Sequence, residues 1–510
     1  MMEMRASTVR LATCVSLGLA FVAPAVAQDR DSVRASLGEA FAPNASLLRP
    51  GAPAPTFDFR VPAGDGLGLG DLSASGSPPT AQDQDVTFCC TERKLGMVGI
   101  EFGMVLVIPW FFNRHVTDDS TAIIGPDTWK ANILEGMEWD HDNFTTNMFS
   151  HPFHGSLYFN AARSNGYNFW ESSAFAWGGS FLWEMFGENN PGAANDWIAT
   201  AVGGIGLGEV LWRSASITWD NQVTGFGRTL RELGGFLLSP MGSASRLFRG
   251  EWSKVGANPE GRIPDTIKTR ISTGGRWVAR DGVDSVFASS FFTLDVAYGD
   301  PFRDFAKPFD SFQLSAQFNG STEKTGLGRL QTAGVLFGTP LGEQGGKNEH
   351  VFHITQHFDY VNNFTLETGG SSVAAEFRSK FGLSDRWGIS TKIAPTALLL
   401  WGTDSEYADF TLRDYDFGTG AAMVLNAGLL RDGNDLFELG YHFIWQRNIN
   451  GALGDHILQF LTARASWAFW NGVGVGAEYL LYTRDSFYRE FPDVFRRNSQ
   501  ARLYAMWYIN

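Results

Sequence analysis

The sequence predicts a mainly β protein: an exported, transmembrane antiparallel β-barrel of the bacterial outer membrane. About 12 to 14 strands of about 10 residues are expected. An α-helical insert is expected to pack in the barrel or at its periplasmic mouth. Three observations lead there. The C-terminal half alternates apolar and polar residues with a period of two, long loops alternate with tight turns, and the chain opens on a leader-like segment. The expected division is a signal peptide over 1–27, a disordered periplasmic segment over 28–96, first barrel strand(s) over 97–139, the helical insert over 140–250 and the barrel over 265–510.

The alternation is clearest at the end of the chain. Ala501, Leu503, Ala505, Trp507 and Ile509 alternate with Arg502, Tyr504, Met506, Tyr508 and Asn510. Phe437 to Trp445 and Val473 to Leu481 repeat the pattern at odd positions, and Phe312, Leu314, Ala316 and Phe318 repeat it at even ones. Such a period suits an apolar outer wall around a polar lumen. The inferred inward set is His353, His357, Glu376, Arg378, Glu438, His442, Glu478 and Arg502. Its mixed charges point to a salt-bridged interior rather than a wide water-filled pore. Expected long connections at Thr483–Asn498 and Gly402–Phe417 alternate with tight turns at Trp470–Gly472, Arg431–Asn434 and Ser384–Arg386. Short turns are periplasmic in such barrels, which puts the C-terminus on that side. Tyr504, Trp507 and Tyr508 also fit an outer-membrane assembly signal, so the barrel assembly machinery is an expected partner, together with outer-membrane lipids.

Composition agrees. Charged residues make up 18% of the 510, aromatic residues 14%, and there are 58 Gly and 17 Trp. Turns, tight strand packing and aromatic girdles use those residue types. Mean hydropathy of −0.12 excludes a bundle made only of transmembrane helices. The net charge of −14 leaves no cationic excess for a nucleic-acid partner. At the N-terminus, Arg5 and Arg10 precede the apolar run Leu11–Val22 and an A-x-A site at Ala25–Ala27. Cys14 lies within this leader. Cys89 and Cys90 are adjacent, a spacing that strains a disulfide between them.

Residues 140–250 break the alternation. Helices are expected at Gly155–Ser164, Phe169–Phe186, Asp196–Arg213 and Phe226–Leu238, with Asp196 as an N-cap. Ser172, Ala176 and Ser180 form one small stripe, and Thr200, Gly203 and Gly206 form another, allowing close helix approach. The two middle helices are about 26 Å long at 1.5 Å per residue, short for a comfortable span. Glu184, Gly178, Gly179 and Glu209 moderate them further, so the expectation puts them in the lumen or at its mouth rather than in lipid. Gly204-Ile205-Gly206-Leu207-Gly208 lacks a preceding strand, which favours close packing over nucleotide binding.

Candidate chemistry concentrates in this insert. His151, His154 and Ser156 lie close in sequence, Glu184 and Glu188 stand four apart, and Asp196 and Glu209 follow on the next helix. His151, His154, Ser156, Glu184 and Glu209 could form an acid/base or nucleophilic set. His151, His154, Glu188 and Asp196 could hold a divalent metal, although His-x2-His is not the helical zinc spacing. No other cofactor is expected. The bland alternative is a hydrogen-bonded polar plug in which Glu184 satisfies Arg163 or Arg213.

The run Asn147-x3-His151-Pro152-x-His154-Gly155-x2-Tyr158-Phe159-Asn160-x2-Arg163 is followed by Trp183-Glu184, Glu188, Asn195-Asp196-Trp197 and the glycine-rich Gly203–Glu209. Together, over roughly residues 125–250, these motifs resemble a family of uncharacterised bacterial proteins defined only as a domain of unknown function. The resemblance speaks against a chance helical insert and implies no particular activity. Two functions stay open: envelope structure or restricted transport by a plugged barrel, and a lipid-modifying hydrolase using a His/carboxylate site.

Overall fold

The computed structural model describes residues 92–259, 262–303, 306–320, 325–407, 413–470 and 472–509. The expected leader, most of the 28–96 segment, and Cys14, Cys89 and Cys90 lie outside them. The helices come first: α1 Leu95–His115, α2 Pro126–Glu135, α3 His151–Arg163, α4 Phe169–Phe186, α5 Ala194–Ile198, α6 Gly204–Thr218, α7 Gly225–Leu238 and α8 Pro240–Phe248. A two-residue parallel pair, β1 Met137–Glu138 and β2 Gly192–Ala193, ties the loops between them.

Twelve strands then close a barrel: β3 Ile267–Ala279, β4 Phe287–Tyr298, β5 Phe312–Asn319, β6 Leu327–Pro340, β7 Asn348–Asn362, β8 Glu367–Gly382, β9 Trp387–Asp404, β10 Tyr415–Arg431, β11 Asn434–Asn450, β12 Gly454–Trp470, β13 Val473–Tyr488 and β14 Val494–Ile509. All neighbours are antiparallel, and β14 closes the ring on β3 from Ser499↔Ala279 to Ile509↔Thr269. Closure leaves no unpaired edge, which a barrel in lipid requires. On β14 the odd residues Ala501 to Ile509 are exposed outward, while Arg502, Tyr504 and Met506 are buried inward. The two-residue turn Asp432–Gly433 has φ of 52° and 77°, the double positive φ of a tight hairpin.

Outward tryptophans ring both ends of the wall. Trp387, Trp467, Trp470 and Trp507 are exposed near the end where the chain enters and leaves the barrel (the terminal end), and Trp277 and Trp445 are exposed near the other (the far end). A closed barrel with an apolar wall between aromatic girdles is the architecture of the bacterial outer membrane, and the chain is an outer-membrane barrel.

Three expectations need correction. The segment 97–139 holds no barrel strand. Ile100–Trp110 lies within α1, because this run is apolar on every side and has no period-two polarity. The helical region therefore precedes all twelve barrel strands rather than interrupting them. The strands are also longer than about 10 residues, several running to 16–18. Ladder pairing continues through polar residues beyond the lipid belt. The expected long loop Thr483–Asn498 thus shrinks to the five residues between Tyr488 and Val494.

The third correction concerns where the helices sit. Register carries the outward face from Ala505 through Thr273 and Phe292 to Phe318, and so to Phe312, Leu314 and Ala316. Those last three, with outward Leu330, Phe358, Leu400 and Phe417, form one core with Phe144, Met148, Phe159, Ala199, Leu207 and Val210 of the helical region. Gln356, also outward, donates from Nε2 to the Val202 carbonyl at 2.9 Å. The helices lie on the outside of the wall, over β5–β10. Among the described residues, the lumen cavity is lined from all twelve strands and from no helix. The helices are neither a plug nor a cap on the mouth.

Local sequence explains the layer. Asn168 caps α4 by accepting from the Glu171 N–H at 2.9 Å, and Glu171 accepts from the Asn168 N–H at 3.1 Å. A π-helical turn Ala199–Gly203 joins α5 to α6, and another, Thr146–Ser150, leads into α3. Helix α5 starts at Ala194 with no side-chain cap, so Asp196 sits in the first turn rather than at the N-cap. The glycine run does pack closely: a Cβ on Gly204 would stand 2.5 Å from the Gly155 carbonyl carbon.

Candidate functional site

In the helical layer, the structure brings together two of the candidate residues. His151 Nε2 and Asp196 Oδ2 are 3.5 Å apart. Asn195 steadies the pair, donating from Nδ2 to Asp196 Oδ1 at 2.6 Å and to Asp140 Oδ1 at 2.9 Å. Asn147 donates to the same Asp140 oxygen at 2.9 Å. Asp140, Asn147 and Asn195 were not among the candidates. Only the Asn147 and Asn-Asp-Trp motifs pointed at two of them.

The other candidates go elsewhere. His154 Nε2 lies 3.3 Å from the Val105 carbonyl, and its ring packs on Tyr158 and Trp183. Ser156 Oγ donates to the Phe153 carbonyl at 2.6 Å, a helix-internal bond rather than a nucleophile–base contact. Glu184 Oε2 accepts from the Ala193 N–H at 2.9 Å, fixing the loop that holds β2. Glu209 accepts from Arg163 Nε at 2.8 Å and from Arg213 Nε at 2.7 Å. Glu209, not Glu184, therefore satisfies both arginines. Among the described residues, no group of three or more His, Cys, Asp and Glu could hold a metal ion, so His151, His154, Glu188 and Asp196 do not assemble as ligands.

Glu188 does not share a helix face with Glu184, because α4 ends at Phe186. Its carboxyl accepts from the Trp183 indole N–H at 3.1 Å. Burial, aided by Asp142, Asp119 and Asp140, pushes this carboxyl up to about 7, against the indole, which lowers it. A raised carboxyl binds its proton more tightly in the folded chain than in the unfolded one. The stability it contributes is full below the unfolded value of 4.5 and is lost as pH rises to about 7. Unfolding midpoints of the helical layer between pH 4 and 8 should show this fall. Glu188→Gln should flatten it, and a variant that keeps the full pH slope would show that other groups are responsible.

The lumen is the second candidate. It holds a cavity of ≈ 690 Å³ that reaches Gly433, Asn434 and Tyr508 at the terminal end. Its charges pair mostly across neighbouring strands. Arg270 meets Asp295 at 2.8 Å, Arg502 meets Glu478 at 3.2 Å, and Arg464 bonds Glu438. Arg378 bonds Glu376, which also lies 3.5 Å from His353. The inward set read from alternation is inward in the structure, and its interior is salt-bridged.

Toward the far end the cavity stops. Leu366, Leu398, Trp401, Ile444, Leu458 and Tyr482 form a buried apolar layer across the barrel. Trp401 is held by its indole N–H, which donates to Thr368 Oγ1 at 2.8 Å. The β7–β8 connection folds into the lumen and reaches the opposite wall. Asn498 Nδ2 donates to the Thr365 carbonyl at 2.6 Å, and Phe364 stacks on Phe287.

Above this layer lies a buried polar network. His456 stands between Ser486 Oγ (2.7 Å from Nδ1) and Asp416 Oδ2 (3.0 Å from Nε2). Asn448 and the Ala452 N–H complete the bonds to Asp416. Ser486, His456 and Asp416 follow the order of nucleophile, base and orienting acid. All three are 0% exposed and none lines the cavity, so a solute in the cavity does not reach them. Reading the lumen from sequence missed the apolar layer because its residues are spread over four strands and one turn.

Several solved outer-membrane proteins are similar to the chain. The chain is similar to the outer-membrane channel DcaP of Acinetobacter baumannii at 7% identity, covering 48% of this chain and 96% of that one, with a TM-score of 0.24. Outer-membrane OmpT of Vibrio cholerae matches at 12% identity, 48% and 97% coverage, and a TM-score of 0.22. The NanC porin matches at 8% identity, 47% and 98% coverage, and a TM-score of 0.24. No protein of curated function matches the chain in sequence. Residues 136–241, from the turn after α2 to the start of α8, match the family model described as "Domain of unknown function (DUF3943)".

Proposed function

We propose that the barrel serves restricted transport of small polar solutes and that its resting lumen is closed. One observation carries the reading. A charge-lined cavity open toward the terminal end stops at the apolar layer of Leu398, Trp401 and Leu458. Apolar constrictions gate pores by excluding water, and charged walls beneath them accept polar solutes. The layer rests on inward side chains and a four-residue connection rather than on the helices, so it can open without unfolding the wall. The terminal end is assigned to the periplasm on its two-residue turns, Asp432–Gly433 and the one after Trp470, although the longest connection, between β4 and β5, lies there too.

Planar-bilayer recording of the purified full chain tests this. The native protein should be nearly silent. A Trp401→Ala/Leu398→Ala/Leu458→Ala variant should conduct, more so with 363–366 replaced by two glycines. A variant that still shows the heat-modifiable migration of a folded barrel yet stays silent would overturn transport and favour a role in envelope structure.

A further inference from the structure

We infer that the helical layer is immersed in the same bilayer as the barrel, with α1 and α7 presenting their apolar faces to lipid acyl chains. The helices are built inside-out. Helix α7 buries Arg228 and Glu232, 2.8 Å apart, and Glu232 also meets Arg246 at 2.8 Å. Its other face, Phe226, Leu230, Leu233 and Leu237, is exposed, with Phe226 at 77%. Helix α1 repeats the inversion. Glu101 is fully buried and accepts from Ser245 Oγ at 2.6 Å and Asn165 Nδ2 at 2.9 Å, while Leu95, Ile100, Val107 and Phe111 point away from the protein. A water-facing bundle would show the opposite polarity.

Dimensions and continuity support the same occupant. Helix α1 has 21 residues, about 31 Å at 1.5 Å per residue, close to a hydrocarbon core of about 30 Å. Arg93 and Lys94 precede it and Arg114 and His115 end it, so charge flanks an otherwise apolar outer face. The layer stands along the wall at membrane depth. Arg413, at the far end, donates to the Asp140 carbonyl, and Arg213 in the second half of α6 reaches Asp310 in the β4–β5 connection at the terminal end. Exposed Trp129 and Trp170 on the layer continue the wall's two aromatic girdles. Trp129 packs edge-on against Phe186 at the end of α4, and Trp170 at the start of α4 stacks on outward Phe337 near the terminal end, so the two stand at opposite ends of that helix. Lipid contact thus runs unbroken from the open wall over the helices.

Spin labels on the full chain in liposomes read the contact directly. Single cysteines at Ile100→Cys, Val107→Cys and Leu230→Cys go into a Cys14→Ser/Cys89→Ser/Cys90→Ser background. Leu439→Cys on the open wall and Asp385→Cys in a turn serve as references. The helical labels should collide with oxygen and not with a water-soluble nickel complex, matching Leu439→Cys. Nickel accessibility like that of Asp385→Cys would overturn the inference and put the layer in water. Shielding from both reagents would also overturn it, in favour of a second copy or another protein as the cover. A nickel-accessible Leu439→Cys would instead reveal that the barrel itself is not in lipid.

Discussion

Glu209→Ala should detach the helical layer from a barrel that stays folded. Glu209 is fully buried and is the shared anion of Arg163 and Arg213, whose side chains are 1% and 4% exposed. Removing one partner of a buried charge network costs about 3–5 kcal/mol, because the remaining charges keep their desolvation penalty. Arg213 retains Asp310 at 3.2 Å, and Arg163 retains the Tyr167 carbonyl and the face of Trp212. These contacts reduce the loss without replacing the carboxylate. Glu209→Gln keeps an acceptor of the same shape and should lose less. Limited proteolysis checks both, with α3–α6 becoming cleavable while the barrel retains its folded migration. Unchanged protection in Glu209→Ala would mean that apolar packing on the wall alone holds the layer.

Gly155→Ala should be nearly as damaging, which is unusual for so small a change. Alanine improves helix propensity over glycine by about 1 kcal/mol. At Gly155 that gain is overwhelmed, since the added methyl would collide with the Thr200 carbonyl oxygen, a backbone atom that cannot rotate away. Overpacking costs typically about 1–3 kcal/mol, and a backbone collision belongs at or above the top of that range. Gly99→Ala on α1 is the control. Its Cβ would meet nothing within 4 Å, so there the propensity gain should survive. Urea midpoints of the helical layer should fall for the first variant and hold or rise for the second. A neutral Gly155→Ala would mean that α3 and α6 can separate freely.

The two variants also mark where sequence was informative. Alternation from Phe437 onward gave faces and lumen residues correctly, since a period of two has one physical meaning in a wall between lipid and water. It overestimated the loops, because hydrogen-bonded ladders continue where the hydrophobic contrast fades, as at Thr483–Tyr488. Ile100–Trp110 looked like a strand only because apolar runs without periodicity fit either element. The helices were expected away from lipid on account of Glu184, Glu209 and scattered glycines. Those carboxylates are buried against the protein, and average hydropathy does not register an inverted face. His151 and Asp196 were legible as candidates because they sit in dense motifs, but their pairing was not, since His151 was matched with Glu184 or Glu209 and Asp196 entered the candidate sites only as a metal ligand. Glu209 was recognised as important, but its role is structural. Asp416, His456 and Ser486 lay hidden among ordinary alternating strand residues.

The exterior position of the helices underlies all of this, and one crosslink tests it most directly. A Cβ on Gly206 would lie 3.7 Å from Gln356 Cγ, and Gln356 faces outward while His357 beside it lines the lumen. In a Cys14→Ser/Cys89→Ser/Cys90→Ser background, the pair Gly206→Cys/Gln356→Cys should form a disulfide under mild oxidation, since the two positions face each other in contact across the helix–wall packing. The pair Gly206→Cys/His357→Cys should not. A crosslink through position 357 but not 356 would put α6 inside the barrel and contradict the exterior layer.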